Sequence, residues 1–390
     1  MHETALSPYN PKLKVGDVVV YDSTLRDGEQ TPGITFSLDQ KVAIARKLDE
    51  MRVPQIEAGF PAVSEAEREA VKAVCDQKLD ADILVLSRIT KGDIDASIDA
   101  GVDIVLLFIG TSDLHIKYKF KKDQQYVLDK IVEGVEYAKS RGVKVSMSAE
   151  DTTRTALDFL MKVYRTAEDA GADRVGVTDT LGCASPEAIS FLVSVAKNTV
   201  KTPVSLHLHN DYGLALANAI AGVKAGADAV TTTVNGIGER CGNVPLEQFV
   251  AAMKYIYGKD LGIDCTQLKE VSEMVETFTG LRRPVNQPLV GQNAFSHESG
   301  IHVAAVLNCP LTYESIPPEA VGNKRHILMG KHTGLNYIRK RVDEIGLMAT
   351  EQQLADILEM VKEMGEKKGR VDAHEFREIV AYVIRPVLTT

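Results

Sequence analysis

From residue 18 to about residue 260, short runs of β-branched and aliphatic residues alternate with amphipathic segments of helical length. This alternation constrains the fold more than any other feature of the chain. The runs are VVVYDST (18–24), QIEAGF (55–60), DILVLSR (82–88), IVLLFIG (104–110), KVSMSAE (144–150), RVGVTDT (174–180), VSLHLHN (204–210) and AVTTTVN (229–235). Between them lie segments such as SLDQKVAIARKLDEM, YVLDKIVEGVEYAKSRG and TALDFLMKVYRTAEDAGAD, with apolar residues at i, i+3 and i+4 and glycine near the C-terminal end. Eight strand-helix units in about 250 residues suit a closed (β/α)8 barrel, whereas an open doubly wound sheet leaves edges and carries a Gly-rich dinucleotide turn. The expectation is an α/β chain: a TIM barrel over 18–260, preceded by an N-terminal extension (1–17) and followed by a helical and linker C-terminal region (261–390) without the alternation.

Charge and cysteine content narrow the functional classes. With 45 Lys and Arg against 54 Asp and Glu among 390 residues, the net charge is -9. That argues against a nucleic-acid-coating surface or a polybasic membrane anchor, so an anionic ligand has to be held locally. The five cysteines are scattered, with no CxxC pair, which argues against a disulfide framework and a structural zinc knuckle. The N-terminal MHETALSPYNPKLKVGD lacks the apolar core of a signal peptide, and no stretch reaches the roughly 20 apolar residues of a membrane helix. A cytoplasmic protein without membrane contact is expected.

In such a barrel the reactive groups sit at the C-terminal ends of the strands, and here those ends are polar: STLRDGEQ, SAED, TDT, HLHND and VNGIGERCGN. His207 and His209 are two residues apart on a strand, hence on one face. With Asp27 from the first strand they offer two nitrogens and a carboxylate, a set suited to a divalent metal with positions open for substrate. Arg26 is placed to hold a carboxylate or stabilise a developing oxyanion. Glu150 is either a general acid or base or a cap of the following helix.

STLRDGEQTPG, IEAGFPAVSEAE, SAEDTTRT, HLHNDYGLALAN, TVNGIGERCGN, NAFSHESGIHV and GKHTG, in that order over roughly residues 7–340, resemble the 2-isopropylmalate, citramalate and homocitrate synthase family of barrel metalloenzymes. ALSPYNPKL, IEAGFP, YKFK and NCPLTYE are most similar to archaeal homocitrate synthases of the coenzyme B pathway. The resemblance implies a condensation of acetyl-CoA with a 2-oxo acid, most closely 2-oxoglutarate to (R)-homocitrate, dependent on a divalent metal such as Mg, Mn or Zn. It implies Asp27, His207, His209 and Asn243 as metal ligands, Arg26 as the group that polarises the ketone, Gln30 beside the metal shell and Thr180 on the 2-oxo acid carboxylate. It further implies Glu150 as an acid near the acyl donor, and His302 and Tyr313 as catalytic residues delivered over the partner's barrel in a homodimer.

Two departures concern the distal end of the acceptor. Where lysine-pathway homocitrate synthases carry an arginine on the fifth strand this chain has Ser146, and where isopropylmalate synthases often carry a histidine on the fourth it has Leu106. Ala304 likewise stands where the latter have an aspartate after SGIHV. A distal carboxylate then needs another donor, for which Arg88, Ser146 and Ser148 are the candidates. The alternatives are a 2-isopropylmalate or citramalate synthase, a metal-dependent carbon-carbon lyase on the same scaffold, and a non-catalytic barrel.

Overall fold

The computed structural model describes residues 4–384. Eight parallel strands pair in chain order and close into a barrel: β1 (Val19–Asp22), β2 (Gln55–Gly59), β3 (Asp82–Arg88), β4 (Ile104–Gly110), β5 (Lys144–Glu150), β6 (Arg174–Asp179), β7 (Val204–Leu208) and β8 (Ala229–Thr232). The seam is a four-residue register between β1 and β8, from Val19 opposite Ala229 to Asp22 opposite Thr232. Every expected strand is present. The expected β1, β2, β6, β7 and β8 run one to three residues long, because their last residues turn out of the sheet into loops; Asn235, for example, has φ 62°.

Helices α1 (Leu38–Glu50), α2 (Glu65–Cys75), α3 (Lys91–Asp99), α4 (Gln124–Ser140), α5 (Leu157–Asp169), α6 (Pro186–Thr199), α7 (Ala215–Lys224) and α8 (Leu246–Ala251) follow the strands. Their entries are written locally: Ser37 and Gln40 form a capping box on α1, and Ser64, Thr90, Asp123 and Ser185 cap α2, α3, α4 and α6. Each helix buries one stripe, as in Ile44, Ala45 and Leu48 of α1 or Phe159, Leu160, Val163 and Tyr164 of α5.

Tyr21, Leu84, Ile104, Leu106 and Ala229 come from opposite sides of the barrel and meet inside it. Below them, at the N-terminal ends of the strands, the buried Arg174 lies over the Tyr21 ring, 4.9 Å from its centroid. It donates to Ser146 Oγ (3.1 Å) and Gln55 Oε1 (2.8 Å). Ser146 therefore faces the barrel floor rather than the mouth, and its hydroxyl is already engaged. Strand alternation explains this: Ser146, Ser148 and Glu150 share the inward face of β5, and Ser146 is the one farthest from the C-terminal end.

Two compact units are present, one of residues Asn10–Arg282 and one of the described parts of Met1–Tyr9 and Arg283–Thr390. These divisions differ from the expected 17/18 and 260/261 boundaries. The helix α9 (Leu268–Thr279) packs on α1 and belongs with the barrel. In the second unit, α10 (Gly300–Asn308), α11 (Leu335–Glu344), α12 (Glu351–Lys368) and α13 (Ala373–Val383) surround Val303, Ile338, Leu354, Ile357, Val361, Phe376 and Val380. A parallel pair of two-residue strands, β9 (Ser296–His297) and β10 (His326–Ile327), completes it. Among the described residues no helix is long and apolar enough to cross a membrane.

The seam carries a buried acid with a thermodynamic signature. Asp22 accepts from Thr24 N (2.9 Å) and Thr232 Oγ1 (3.2 Å), and burial pushes its carboxyl up to about 7. A carboxyl raised in the folded state favours folding below its unfolded value, and that advantage is lost as pH rises towards 7. Asp22→Asn keeps the shape and removes the ionisation. In denaturant titrations the variant is expected to exceed the wild type at pH 8, by up to ~4 kcal/mol, with the gap closing towards pH 4.

Candidate functional site

The barrel mouth holds a cleft of about 320 Å³ lined by residues of the barrel unit alone. Its polar side comes from the loop after β1 and from β6 to β8: Arg26, Asp27, Gln30, Thr178, Thr180, His207, His209, Glu239 and Arg240. Its apolar side comes from β2 to β4: Phe60, Leu86, Leu106 and Phe108. Ser148 and Glu150 stand between them.

At the polar end, Asp27, His207 and His209 bring one ligand atom each to within 4.8 Å of one another. His209 lies just past β7, in a bridge to Asn243, so the pair is held by the loop after β8 rather than by the strand alone. The two Nε2 atoms are 3.2 Å apart, and Asp27 Oδ2 is 3.4 Å from His207 Nε2 and 4.0 Å from that of His209. Burial and the neighbouring His207 push His209 down to about 4, which leaves a neutral imidazole with a lone pair. Burial opposes charge on Asp27, but Arg26 beside it and the hydrogen bond from His207 hold its carboxyl well below the usual range. Asn243 Nδ2 donates to Asp27 Oδ1 (2.8 Å), while the buried Asn243 Oδ1 has no hydrogen-bond partner. Two imidazoles and a carboxylate converging within 4.8 Å fit a divalent cation, and the neighbouring amide oxygen of Asn243 is without a hydrogen-bond partner.

The loop after β8 reaches this cluster because of glycine. A Cβ on Gly238 would lie 2.1 Å from Asn243 Nδ2 and 2.7 Å from Asp27 Oδ1, so any side chain there would displace the asparagine or the carboxylate. The next residue, Glu239, donates its backbone N–H to Asp27 Oδ1 (3.2 Å).

Arg26 is held by a residue that sequence reasoning missed. Glu57, fully buried on β2, takes Nε on Oε1 (2.8 Å) and Nη2 on Oε2 (3.0 Å), and Ser23 Oγ donates to Oε2 (2.5 Å). Arg26 Nη1 donates to Asp27 Oδ2 (2.8 Å) and Gln30 Oε1 (3.4 Å). Burial disfavours the guanidinium charge, yet Glu57 and Asp27 outweigh it and raise its pKa. The signal available in the sequence was a lone acid in the otherwise buried run QIEAG, at a position where a charge persists only if paired.

Glu150 does not cap α5, whose cap position is Ala156 without a side-chain bond. Its carboxylate receives Lys119 Nζ at 3.0 and 2.7 Å, with His115 Nδ1 3.6 Å away. Both side chains come from a π-helical turn (His115–Phe120) after β4, a local geometry that the pattern HIKYKF does not announce. Thr180 Oγ1 accepts from Asp151 N (2.8 Å), so its own O–H proton is available to donate. Ser148 Oγ and Thr178 Oγ1 bond each other at 2.8 Å.

Of the three donors expected for a distal carboxylate, only Ser148 lines the cleft. Ser146 lies on the floor. Arg88 pairs with Asp93 (2.5 Å) at the start of α3, and its guanidinium lies over the Phe60 ring, 5.8 Å from its centroid. His302 and Tyr313 belong to the second unit, where their rings lie 4.1 Å apart at 35°. The residue after Tyr313, Glu314, is buried and anchored by Arg325 (2.7 and 2.6 Å) and His297 (3.2 Å), which fixes the segment carrying the tyrosine.

A family model described as HMGL-like matches residues 17–275, and one described as homocitrate synthase post-HMGL domain-like matches residues 289–369. Homocitrate synthase AksA of Methanocaldococcus jannaschii is 49% identical over 383 residues, covering 98% of this chain and 94% of that protein. AksA of Methanothermobacter thermautotrophicus is 48% identical over 385 residues, covering 98% of both. The 2-isopropylmalate synthase of Methanocaldococcus jannaschii is 46% identical over 94% of this chain and 72% of its own length. Among solved structures, the HMG-CoA lyase of Bacillus subtilis superposes with a TM-score of 0.63 at 17% identity, over 70% of this chain and 97% of that one, a likeness of fold alone.

The cluster predicts its own metal affinity. Titration of metal-free protein with Mn²⁺ or Zn²⁺ by calorimetry is expected to show one strong site, lost in His207→Ala, His209→Ala and Asp27→Asn. Asn243→Ala should weaken it by ~10-fold or more. Arg88→Ala, whose guanidinium is committed to Asp93, should leave it unchanged.

Proposed function

Because the chain belongs to the HMGL-like family and, within it, to the homocitrate and 2-isopropylmalate synthases, we propose that it condenses acetyl-CoA with 2-oxoglutarate to give (R)-homocitrate. The observation that carries this reading is Asp27, His207 and His209 clustered beside a guanidinium clamped by Glu57, in a chain that matches acyl-CoA-using synthases over nearly its whole length.

The reaction joins the acetyl methyl carbon to the keto carbon of the acceptor, after which water cleaves the thioester and releases CoA. A divalent metal held by Asp27, His207, His209 and Asn243 would supply Lewis acidity at the keto oxygen. The hydrogen bonds to Glu57, Asp27 and Gln30 occupy four of the five N–H groups of Arg26 and leave one on Nη2 for the oxygen where negative charge develops. Since these bonds are in place beforehand, the guanidinium needs no reorganisation as the charge forms. Thr180 donates its O–H to the acceptor's carboxylate, and Gln30 sets the adjoining wall. Glu150, held by Lys119, orients the acyl donor. His302 and Tyr313 take part in moving the methyl proton, and we assign them to the barrel of a second copy in a homodimer. Coenzyme B biosynthesis in the cytoplasm is the setting that fits this product.

A second reading is favoured by one observation. The side of the cleft away from the metal cluster is built of Phe60, Leu86, Leu106 and Phe108, which suits an apolar tail, as in 2-oxoisovalerate or pyruvate.

A thiol-release assay with acetyl-CoA and 2-oxoglutarate, 2-oxoisovalerate, pyruvate or oxaloacetate separates these readings. The expected result is CoA release that requires both metal and acceptor, with the highest kcat/KM for 2-oxoglutarate, and a loss of ~10²-fold or more in Arg26→Ala. Preference for 2-oxoisovalerate or pyruvate would move the assignment to the second reading, and cleavage of a 3-hydroxyacyl-CoA without condensation would make the chain a lyase. Sharing of the site is read by mixing inactive Arg26→Ala and His302→Ala chains, which should regain activity in mixed dimers by forming one intact site.

A further inference from the structure

Lys41 is a buried lysine without a role in the chemistry described so far. It projects from α1, its side chain is 1% exposed, and its ammonium lies 2.6 Å from Glu29 Oε2 and 2.7 Å from Glu67 Oε2. The two acids belong to different parts of the barrel rim. Glu29 sits in the loop after β1, two residues beyond Asp27 and next to Gln30, and its other oxygen accepts from Phe36 N (2.7 Å), closing that loop on itself. Glu67 lies on α2, and its other oxygen accepts from Phe60 N (3.0 Å) at the end of β2. Packing at this junction is tight: a Cβ on Gly59 would lie 2.0 Å from Glu67 Oε1.

We propose that Lys41 is a positioning residue for the acceptor site, welding the loop that carries Arg26, Asp27 and Gln30 to the strand end that carries Glu57 and Phe60. The weld matters because Arg26 and Glu57 come from these two segments and form a bidentate pair, which tolerates little relative displacement of the segments. Phe60 is also a wall of the cleft, edge-on to Phe108 at 6.4 Å. One ammonium faces two carboxylates. Removing it leaves two like charges in a poorly solvated space, and they separate the loops they hold. This inference rests on the condensation proposed above, and its test carries one readout that does not depend on turnover.

The test is Lys41→Met. The expected result is a KM for the 2-oxo acid raised at least tenfold, a KM for acetyl-CoA within twofold of wild type, and an apparent Kd for Mn²⁺, titrated into metal-free protein, raised at least threefold. If Lys41→Met does not fold, Glu29→Gln keeps the shape and removes the charge on the catalytic loop's side of the weld, and a threefold rise in the acceptor's KM is expected. A variant with a lower thermal midpoint but an unchanged acceptor KM and Mn²⁺ affinity would overturn the proposal and leave Lys41 a stabilising residue only. Should the wild type release no CoA with any 2-oxo acid, the condensation is wrong, and the Mn²⁺ titration alone still decides whether Lys41 positions the loop of Asp27.

Discussion

Closure of the sheet between β1 and β8 is the constraint on which the site depends. The seam is short and is stitched at its end by one backbone and two side-chain hydrogen bonds: Ser23 N donates to Thr232 O (2.8 Å), Val234 N to Thr24 Oγ1 (2.9 Å) and Thr232 Oγ1 to Asp22. Asp27 lies just past one edge of this seam and Asn243 past the other, and their hydrogen bond spans it. An open sheet would leave the Asp27 carboxylate and the asparagine on unpaired edges, with nothing to hold them together. Closure also gathers all eight C-terminal strand ends on one rim, which is why residues as distant in sequence as Arg26, Glu150 and His207 line one cleft.

Once the ring is closed, placing charge becomes an electrostatic problem. Buried charges persist where they are paired and hydrogen-bonded, and the site follows a chain of such pairs: Glu57 to Arg26, Arg26 to Asp27, Asp27 to Asn243. The pairs fix directions as well as charge states. Glu57 holds one edge of the guanidinium, and Asp27 is kept ionised by its neighbours while His209 is kept neutral by burial. The resulting field is in place before a ligand enters, the condition under which electrostatic stabilisation of a developing charge is most effective.

What the sequence made legible follows from which features have periodicity. The eight strands and their helices were readable because alternation and capping are local, and DILVLSR, IVLLFIG and KVSMSAE coincide with β3, β4 and β5. The clustering of Asp27, His207 and His209 was readable because strand ends of a barrel converge by topology. Glu57, Lys41 and Lys119 were not, since each acts through a partner on another element and nothing in its local pattern names that partner. Arg88 and Ser146 were misplaced for the same kind of reason: depth along a strand and competition from Asp93 and Arg174 are tertiary facts. Sequence pattern does not separate α9 from the C-terminal region, since it is helical like that region, yet it packs on α1 of the barrel.

The division of the cleft into a polar side and an apolar side also orients whatever enters it. An acceptor bound as proposed above, with its carboxylate and ketone beside Arg26 and Thr180, sends its tail towards Leu86, Leu106 and Phe108. Both arginines that line the cleft already hold carboxylates, Arg26 on Glu57 and Asp27, and Arg240 on Asp211 at 2.8 Å. A second carboxylate on the tail therefore meets a full positive charge there only by exchange with an existing partner. Of the ion pairs at the rim, Lys119 with Glu150 is easier to exchange than the Arg26 pairs, since its lysine is 45% exposed whereas Arg26 and Glu57 are buried. On the function proposed above, selection between a diacid and an apolar 2-oxo acid would turn on the cost of opening that pair against the gain of covering Leu86 and Phe108, a balance set by residues outside the Asp27, His207 and His209 cluster.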